Sequence, residues 1–123
     1  MPAMKTILHI EDDPRNLLLV QRILERHPYR LLDAGTGEQG LEIAARERPD
    51  LILVDLGLPD IDGQTVVVLL RELDPLAHTP IVAITAWPRE IALDMAERYG
   101  CDGCILKPID VRQFPAQLAA YFE

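Results

Sequence analysis

The chain has 123 residues, of which 49% are apolar, and this is enough to bury the core of one domain. Twelve basic and 20 acidic residues give a formal charge of −8, which argues against nucleic-acid binding because phosphate recognition needs Lys- and Arg-rich surfaces. No apolar run reaches the roughly 18 residues that a membrane span requires, and no signal peptide fits the N-terminus. Two cysteines in a chain with a full-sized core indicate a reducing compartment, so we expect a cytoplasmic protein.

Strands and helices are predicted to alternate along the chain. Short apolar runs bounded by turn residues indicate strands, and apolar residues three and four positions apart indicate helices. In chain order, the predicted elements are a strand over 5–10, a helix from Pro14 to about Arg26, a strand over 29–34, a helix to about Glu47, a strand over 51–54, a helix between Gly63 and Asp74, a strand over 81–85, a helix closed by Gly100, a strand over 103–106 and a helix from about Phe114.

Residue types at the helix starts support these bounds. Asp13 before Pro14 is typical of an N-cap followed by proline at the first helical position. Thr36–Gln39 matches a capping box, and we expect the helix that it opens to bury Ala44 and Ala45.

Strands that alternate with helices predict an α/β fold with a parallel sheet and helices on both faces. In such a sheet the carboxyl ends of the strands lie at one edge, where these folds bind their ligands. Four of the five predicted strands end in segments that carry a polar residue: Glu11–Asp13, Asp55, Thr85–Ala86 and Lys107–Pro108. We therefore expect a functional site at this edge, centred on Asp55.

The carboxylates at this edge need positive charge close by. Two carboxylates ~4 Å apart repel by about 4 kcal/mol at an effective dielectric constant of about 20. Lys107 supplies one positive charge, and Mg²⁺ fits best for the rest, because it takes one or two carboxylates and completes its octahedron with waters and a phosphate oxygen. Gly57 would let the backbone pass close and offer a carbonyl to the metal. Mg²⁺, Thr85 and Lys107 around Asp55 suit the transfer of a phosphoryl group onto that carboxylate.

The chain contains four segments that resemble the receiver domain of bacterial two-component response regulators, in that family's order and spacing: ILHIEDDPRN, LILVDLGLPDIDG, VAITA and ILKPID. Together they span essentially the whole chain. The resemblance implies a three-layer, doubly wound (βα)5 flavodoxin-like fold with a five-stranded parallel sheet of order 2-1-3-4-5. It also implies one receiver domain over 1–123, with no separate output domain.

The resemblance also implies the metal site and the phosphoacceptor. Asp55 would take a phosphoryl group from the phosphohistidine of a sensor histidine kinase, or from a histidine phosphotransferase. Mg²⁺ would be bound by Asp12, Asp55 and the backbone carbonyl of Gly57, with Glu11 acting through water.

Three further positions match family residues that stabilise the phosphoryl group. These are the hydroxyl of Thr85, the backbone of Ala86 and the ammonium of Lys107. The bond between Lys107 and Pro108 is similar to one that is usually cis in the family, which proline permits at modest cost.

Two features depart from the family's pattern. Cys104 stands three residues before Lys107, where the family has an aromatic that swings during switching, and a small thiol cannot replace that movement. Gly57 lies two residues after Asp55, and Trp87 lies two residues after Thr85. In the family, these two positions lie beside the path of the water that attacks the phosphoryl group. A glycine cannot orient that water and a tryptophan would cover it, so we expect slow hydrolysis of the phosphorylated aspartate.

The sequence favours structural roles for several other residues of types that are often catalytic or metal-binding. Cys101 and Cys104 form a CxxC motif, but it follows a helix C-terminus, whereas redox pairs sit at helix N-termini, and zinc would need two more ligands. His9 lies among Ile and Leu in the first strand and is expected to pack in the core. Asp60 and Asp62 are expected to shape the turn that leads into the third helix.

We therefore expect a phosphoacceptor signalling module whose affinity for a downstream protein changes on phosphorylation, through the face formed by the fourth helix, fifth strand and fifth helix. It would assist its own phosphorylation and dephosphorylation without being an enzyme, and a phosphorylation-dependent homodimer is left open.

One alternative is a pseudo-receiver that binds partners without phosphorylation, but such a protein would lack Asp55, Asp12 or Lys107. A second is a Mg²⁺-dependent aspartyl phosphohydrolase, which would need a general acid and a cap segment. A flavin-binding protein is disfavoured because the acidic first loop would repel the FMN phosphate.

Overall fold

A five-stranded parallel sheet lies at the centre of the computed structural model, which describes residues 4–122 apart from the side chain of Pro75. The strands are β1 (Lys5–Ile10), β2 (Tyr29–Ala34), β3 (Leu51–Asp55), β4 (Ile81–Thr85) and β5 (Gly103–Leu106). Their order in the sheet is β2-β1-β3-β4-β5, so the predicted fold and strand order are confirmed. Residues 1–3 and 123 lie outside the described residues, and the single domain over 1–123 stays a prediction.

Helices cover the two faces of this sheet. They are α1 (Pro14–Leu24), α2 (Gly37–Glu47), α3 (Gly63–Glu72), α4 (Arg89–Tyr99) and α5 (Phe114–Ala119), and short 3-10 segments cover Asp74–Leu76 and Ala120–Phe122. Over residues 4–122, none of the helices combines the length and the hydrophobicity that crossing a membrane would take.

The predicted capping residues begin the first two helices. The Asp13 carboxylate accepts a hydrogen bond of 2.9 Å from the Arg15 backbone N–H, and the Thr36 hydroxyl accepts one of 3.1 Å from the Gln39 backbone N–H. The Gln39 side chain departs from the capping-box pattern, because its Oε1 accepts a 3.1 Å hydrogen bond from the N–H of Gly35, one residue before the N-cap.

Two predicted details of the helices are wrong. Helix α1 ends at Leu24 and not near Arg26, because the His27 N–H donates to the Leu24 carbonyl at 2.9 Å and tightens the last turn. Ala45 is exposed while Ala44 is buried, because successive helix residues point about 100° apart and Ala45 falls on the solvent side.

The apolar core lies on both faces of the sheet. Leu8 and Ile10 of β1 pack with residues of α2 and α3, whereas Ile7 packs with residues of α1 and α5. Strands β3 and β4 are buried along their whole length. Because helices cover both faces of these central strands, polar groups gather at the carboxyl edge of the sheet.

Candidate functional site

Strand register brings the carboxyl ends of the central strands together. Ile10 of β1 pairs with Val54 of β3, and Asp55 at the end of β3 pairs with Ile84 of β4. Glu11 directly follows Ile10, so its side chain leaves the sheet beside that of Asp55. The carboxyl ends of β1, β3 and β4 therefore lie side by side at one edge of the sheet.

Glu11, Asp12 and Asp55 form a group that we call the acidic cluster. Each offers a carboxylate oxygen, and these oxygens lie within 4.8 Å of one another. The Lys107 Nζ lies 3.1 Å from Glu11 Oε1 and 3.5 Å from Asp55 Oδ1. Asp13 takes no part, because its carboxylate caps α1 and pairs with Arg15. The structure thus assembles the predicted carboxylates and the predicted lysine at one place.

Asp55 is held in position by the backbone around it. Its residue is only 6% exposed, and its Oδ1 accepts a 3.1 Å hydrogen bond from the Gly57 N–H. The Leu56 N–H donates to the Ile84 carbonyl at 3.2 Å, which extends the pairing with β4 one residue beyond Asp55. The carboxylate therefore points to a fixed place between the acidic cluster and Lys107.

The electrostatics of the acidic cluster distinguish its two buried carboxyl groups. Burial, followed by the hydrogen-bonded Asp55 carboxylate, raises the pKa of Glu11 to about 7. Burial also favours a neutral Asp55, but hydrogen bonds from Glu11 and the Gly57 N–H, together with Lys107, outweigh it and lower the pKa of Asp55. Burial would lower the pKa of Lys107, yet the hydrogen bond to Glu11 and the charge of Asp55 raise it. Asp55 is accordingly ionised at neutral pH beside a charged lysine.

Thr85 and Lys107 are linked at the ends of β4 and β5. Thr85 is buried, and its hydroxyl accepts a 3.0 Å hydrogen bond from the Trp87 N–H, which leaves its own proton free for another acceptor. The Lys107 N–H donates to the Thr85 carbonyl at 2.8 Å. Ala86 is exposed beside Thr85, and the peptide bond between Lys107 and Pro108 is cis, as the resemblance implied.

A positive φ does not account for the glycine at position 57. Among the described residues, Gly100 is the glycine with a positive φ, and Gly57 is not. A Cβ added to Gly57 would make one ordinary contact, 3.7 Å from Asp55 Oδ1. The glycine therefore leaves space for a side chain next to the Asp55 carboxylate.

Asp60 has a role that the sequence reasoning missed. Its carboxylate accepts hydrogen bonds from the backbone N–H groups of Gly37, at 2.8 Å, and Glu38, at 3.0 Å, in the first turn of α2. These two hydrogen bonds lower the pKa of Asp60. Asp60 thus contacts the start of a helix 23 residues away, in addition to backbone N–H groups of its own loop, and no local sequence signal reports the distant contact. Asp62 precedes α3 but makes no side-chain cap.

His9 and the two cysteines fit the structural roles predicted for them. His9 is 1% exposed, and burial, assisted by Lys107, lowers its pKa to about 4, so it is neutral. Both cysteines are free thiols. Burial raises the pKa of Cys101 to about 11 and that of Cys104 above its usual range, which opposes thiolate chemistry.

Cys104 lines a groove of about 310 Å³ between α4, β5 and the start of α5. Arg89 and Leu93 of α4 line it together with Asp110 and Gln117. Leu93 is 47% exposed. At the position where the resemblance to the receiver family leads us to expect an aromatic ring, this chain has a cysteine that lines a partly apolar groove.

The sequence model for the response regulator receiver domain matches residues 7–119. The chain belongs to this family. As a receiver domain, it is a phosphoacceptor signalling module of a two-component system, which confirms the family and the general function predicted from its motifs.

Individual relatives agree with this assignment. The receiver domain is similar to the polar-differentiation response regulator DivK of Brucella anthropi, with 32% identity over 117 residues that cover 95% of each chain. Its structure is similar to the receiver domain of a Pseudomonas aeruginosa sensor histidine kinase, with a TM-score of 0.88 and 28% identity over 97% of this chain and 98% of that one. The Vibrio cholerae chemotaxis protein CheY4, at 24% identity and covering 97% of this chain and 99% of its own, shares the fold with a TM-score of 0.91.

Proposed function

We propose that Asp55 is the phosphoacceptor of this receiver domain and that the acidic cluster binds Mg²⁺. The observation that carries the proposal is the cluster itself, with three carboxylate oxygens within 4.8 Å of one another and Lys107 Nζ beside two of the residues. Asp12, Asp55 and the Gly57 carbonyl would bind the ion, with Glu11 acting through water. The similar receiver domain from Pseudomonas aeruginosa is described with a magnesium ion in its active-site cleft, which supports the identity of the ion.

In the proposed reaction, a carboxylate oxygen of Asp55 attacks the phosphorus of a phosphohistidine. A P–O bond forms, the N–P bond breaks, and the electron pair of that bond returns to the imidazole nitrogen. Asp55 needs no general base, because its lowered pKa keeps it ionised. A bound Mg²⁺ would offset negative charge on the carboxylates and on the phosphoryl oxygens.

Residues at the ends of β4 and β5 would hold the phosphoryl group. The Thr85 hydroxyl keeps a free proton to donate, because its oxygen serves as acceptor for the Trp87 N–H. The Lys107 ammonium lies 3.5 Å from Asp55 Oδ1 and would pair with a phosphoryl oxygen there, and the Ala86 backbone would contribute a further contact. These residues assist phosphorylation and the later hydrolysis, so the chain acts as a signalling domain and not as a turnover enzyme.

The partners follow from this chemistry. The donor would be a cytoplasmic sensor histidine kinase or a histidine phosphotransferase. The output would be a change in affinity for a downstream protein at the face of α4, β5 and α5, where Cys104 lines the groove.

The test is to incubate the protein with Mg²⁺ and a small acyl phosphate and to measure its intact mass. We expect a phosphoryl adduct on the wild type and none on Asp55→Asn. Asp62→Asn is the matched control, because it changes a carboxylate of the same loop outside the acidic cluster, and it should be labelled like the wild type. A wild type that stays unlabelled while a control receiver is labelled would support a phosphorylation-independent pseudo-receiver.

A further inference from the structure

The loop between β3 and α3 carries Gly57. Leu58 and Ile61 of this loop pack with the apolar core, but few polar contacts fix the loop from outside. Among the described residues, the hydrogen bonds that tie positions 57–61 to an element other than the flanking β3 and α3 are the two accepted by Asp60. They come from Gly37 and Glu38, at 2.8 and 3.0 Å, in the first turn of α2. Asp60 is therefore the polar link between this loop and the rest of the molecule.

Packing places the same loop directly against the start of α2. A Cβ added to Gly37 would lie 3.2 Å from the Ile61 Cβ and 2.8 Å from the Val66 Cγ2, so α2 begins with a glycine under the loop. At the base of the loop, a Cβ added to Gly63 would lie 2.4 Å from the Leu56 Cα. The loop is closed tightly at its base, and at its far end Asp60 adds two hydrogen bonds to the apolar packing of Leu58 and Ile61.

We propose that Asp60 is a positioning residue for the phosphorylation site, which holds the β3–α3 loop against the N-terminus of α2 and so keeps the Gly57 backbone in one place relative to Asp55. The inference rests on the proposed function, because the Gly57 carbonyl is one of the proposed metal ligands. Asp60 itself touches neither the acidic cluster nor the phosphoryl position.

The charge of Asp60 suits this role. The first N–H groups of a helix have no partners within the helix, and the N-terminus carries a partial positive charge. The two N–H groups of α2 that Asp60 engages lower its pKa, so the link is ionic as well as hydrogen-bonded at neutral pH. An asparagine at position 60 would keep one acceptor oxygen and lose the charge.

The test compares Asp60→Ala with Thr36→Ala. Both variants remove an acceptor from the N–H groups at the start of α2, but only Asp60→Ala releases the loop. The Gly57 amide donates to Asp55 Oδ1, so its resonance in ¹⁵N-labelled full-length protein reports on the site during titration with MgCl₂. We expect Mg²⁺ to bind about tenfold more weakly to Asp60→Ala, an intermediate loss in Asp60→Asn, and no change in Thr36→Ala.

A second measurement separates positioning from general stability. In Asp60→Ala the amides of Gly57 and Ile61 should exchange with D₂O faster, while amides of β1 and β3 should exchange as in the wild type. Wild-type Mg²⁺ affinity in Asp60→Ala, or in Asp60→Asn if the alanine variant does not fold, would overturn this inference alone. Equal weakening in Thr36→Ala would do the same, because the effect would then come from α2. Absence of any Mg²⁺ response in the wild type would instead remove the proposed function, and this inference with it.

Discussion

Glu11 and His9, separated by one residue on β1 and its extension, are buried titratable groups with opposite effects on stability. The pKa of Glu11 is raised to about 7, so the folded protein binds this proton more tightly than the unfolded chain, and the free energy of unfolding falls as pH rises from about 4.5 to about 7. The pKa of His9 is lowered to about 4, so the unfolded chain binds its proton more tightly, and stability rises from about pH 4 to about 6.5. The contributions of Glu11 and His9 to the pH dependence of the free energy of unfolding therefore have opposite signs.

We expect Glu11→Gln to expose the His9 contribution. In metal-free protein, urea denaturation between pH 4.5 and 7 should show the free energy of unfolding of Glu11→Gln rising more steeply with pH than that of the wild type. His9→Leu should do the reverse, and its stability should fall with pH over the same range. Profiles of wild type and variants that run parallel would contradict this assignment of the slopes.

Trp87 is expected to control the lifetime of the phosphorylated state. It is half-buried and follows Thr85 by two residues, with its N–H bonded to the Thr85 hydroxyl. If its ring covers the approach of water, Trp87→Ala should lose the phosphoryl group several-fold faster, whereas Trp87→Phe should stay close to the wild type. A time course of intact mass after removal of the phosphodonor measures this, and equal rates for Trp87→Ala and wild type would argue against shielding.

At the scale of secondary-structure elements, the end of α2 carries an unusual cap. Arg48 has a φ of 48°, the left-handed conformation that glycine adopts without strain, and its N–H donates to the Ala44 carbonyl. Arg48→Gly should raise the free energy of unfolding by roughly 0.5–1 kcal/mol, because relief of the strain outweighs the added chain entropy. The control is Arg46→Gly, which places the same change inside the helix and should cost about 1 kcal/mol. Urea denaturation of both variants would show opposite signs.

The bounds of most elements could be predicted from the sequence because their causes are local. The strands are apolar runs, and Asp13, Thr36 and Gly100 mark helix ends through their own backbone neighbours. The contacts of Asp60 could not be predicted, because its partners lie 23 and 22 residues away and are set by how α2 docks beside the loop. The Gln39 side chain accepts from the Gly35 N–H and not from the Thr36 N–H. This choice depends on the rotamer of Gln39, which the capping-box spacing does not encode.

At the scale of the whole molecule, Arg71 joins elements at the edge of the sheet opposite the acidic cluster. Its guanidinium donates to the carbonyls of Gly100, Leu76 and Thr79 and pairs with Asp102 at 2.6 Å. These partners lie just before β4 and β5, so one side chain of α3 fixes the entry to two strands. Sequence reasoning missed this link for the same reason as it missed Asp60.

We expect Arg71→Met to lower the free energy of unfolding by about 2 kcal/mol, because several carbonyls lose a charged donor together. Arg98→Met is the matched control, since Arg98 makes one exposed pair with Asp94 on α4, and its loss should cost less than about 0.5 kcal/mol. Phosphorylation of Asp55 by a small acyl phosphate should proceed at the wild-type rate in folded Arg71→Met. A slowed rate would show that the two edges of the sheet are coupled.

More of the site than of the contacts around it could be predicted from the sequence. Parallel strands place their carboxyl ends together, so Asp55, Glu11 and Lys107 could be placed at one site from their positions after strands, and their contacts agree. The strand pattern could not predict how the pKa values of the two buried carboxyl groups differ, with that of Glu11 raised and that of Asp55 lowered. That difference arises from burial and from distances of a few ångströms, which only the folded chain defines.

The open space at Gly57 has a consequence for how such a signal evolves. A Cβ added there would meet the Asp55 carboxylate at an ordinary contact distance of 3.7 Å and would come no closer to any other part of the backbone or core. A change from glycine to alanine can therefore alter the surroundings of the Asp55 carboxylate without a steric cost to the fold. In this protein, selection can therefore act on the lifetime of the phosphorylated state separately from the stability of the fold.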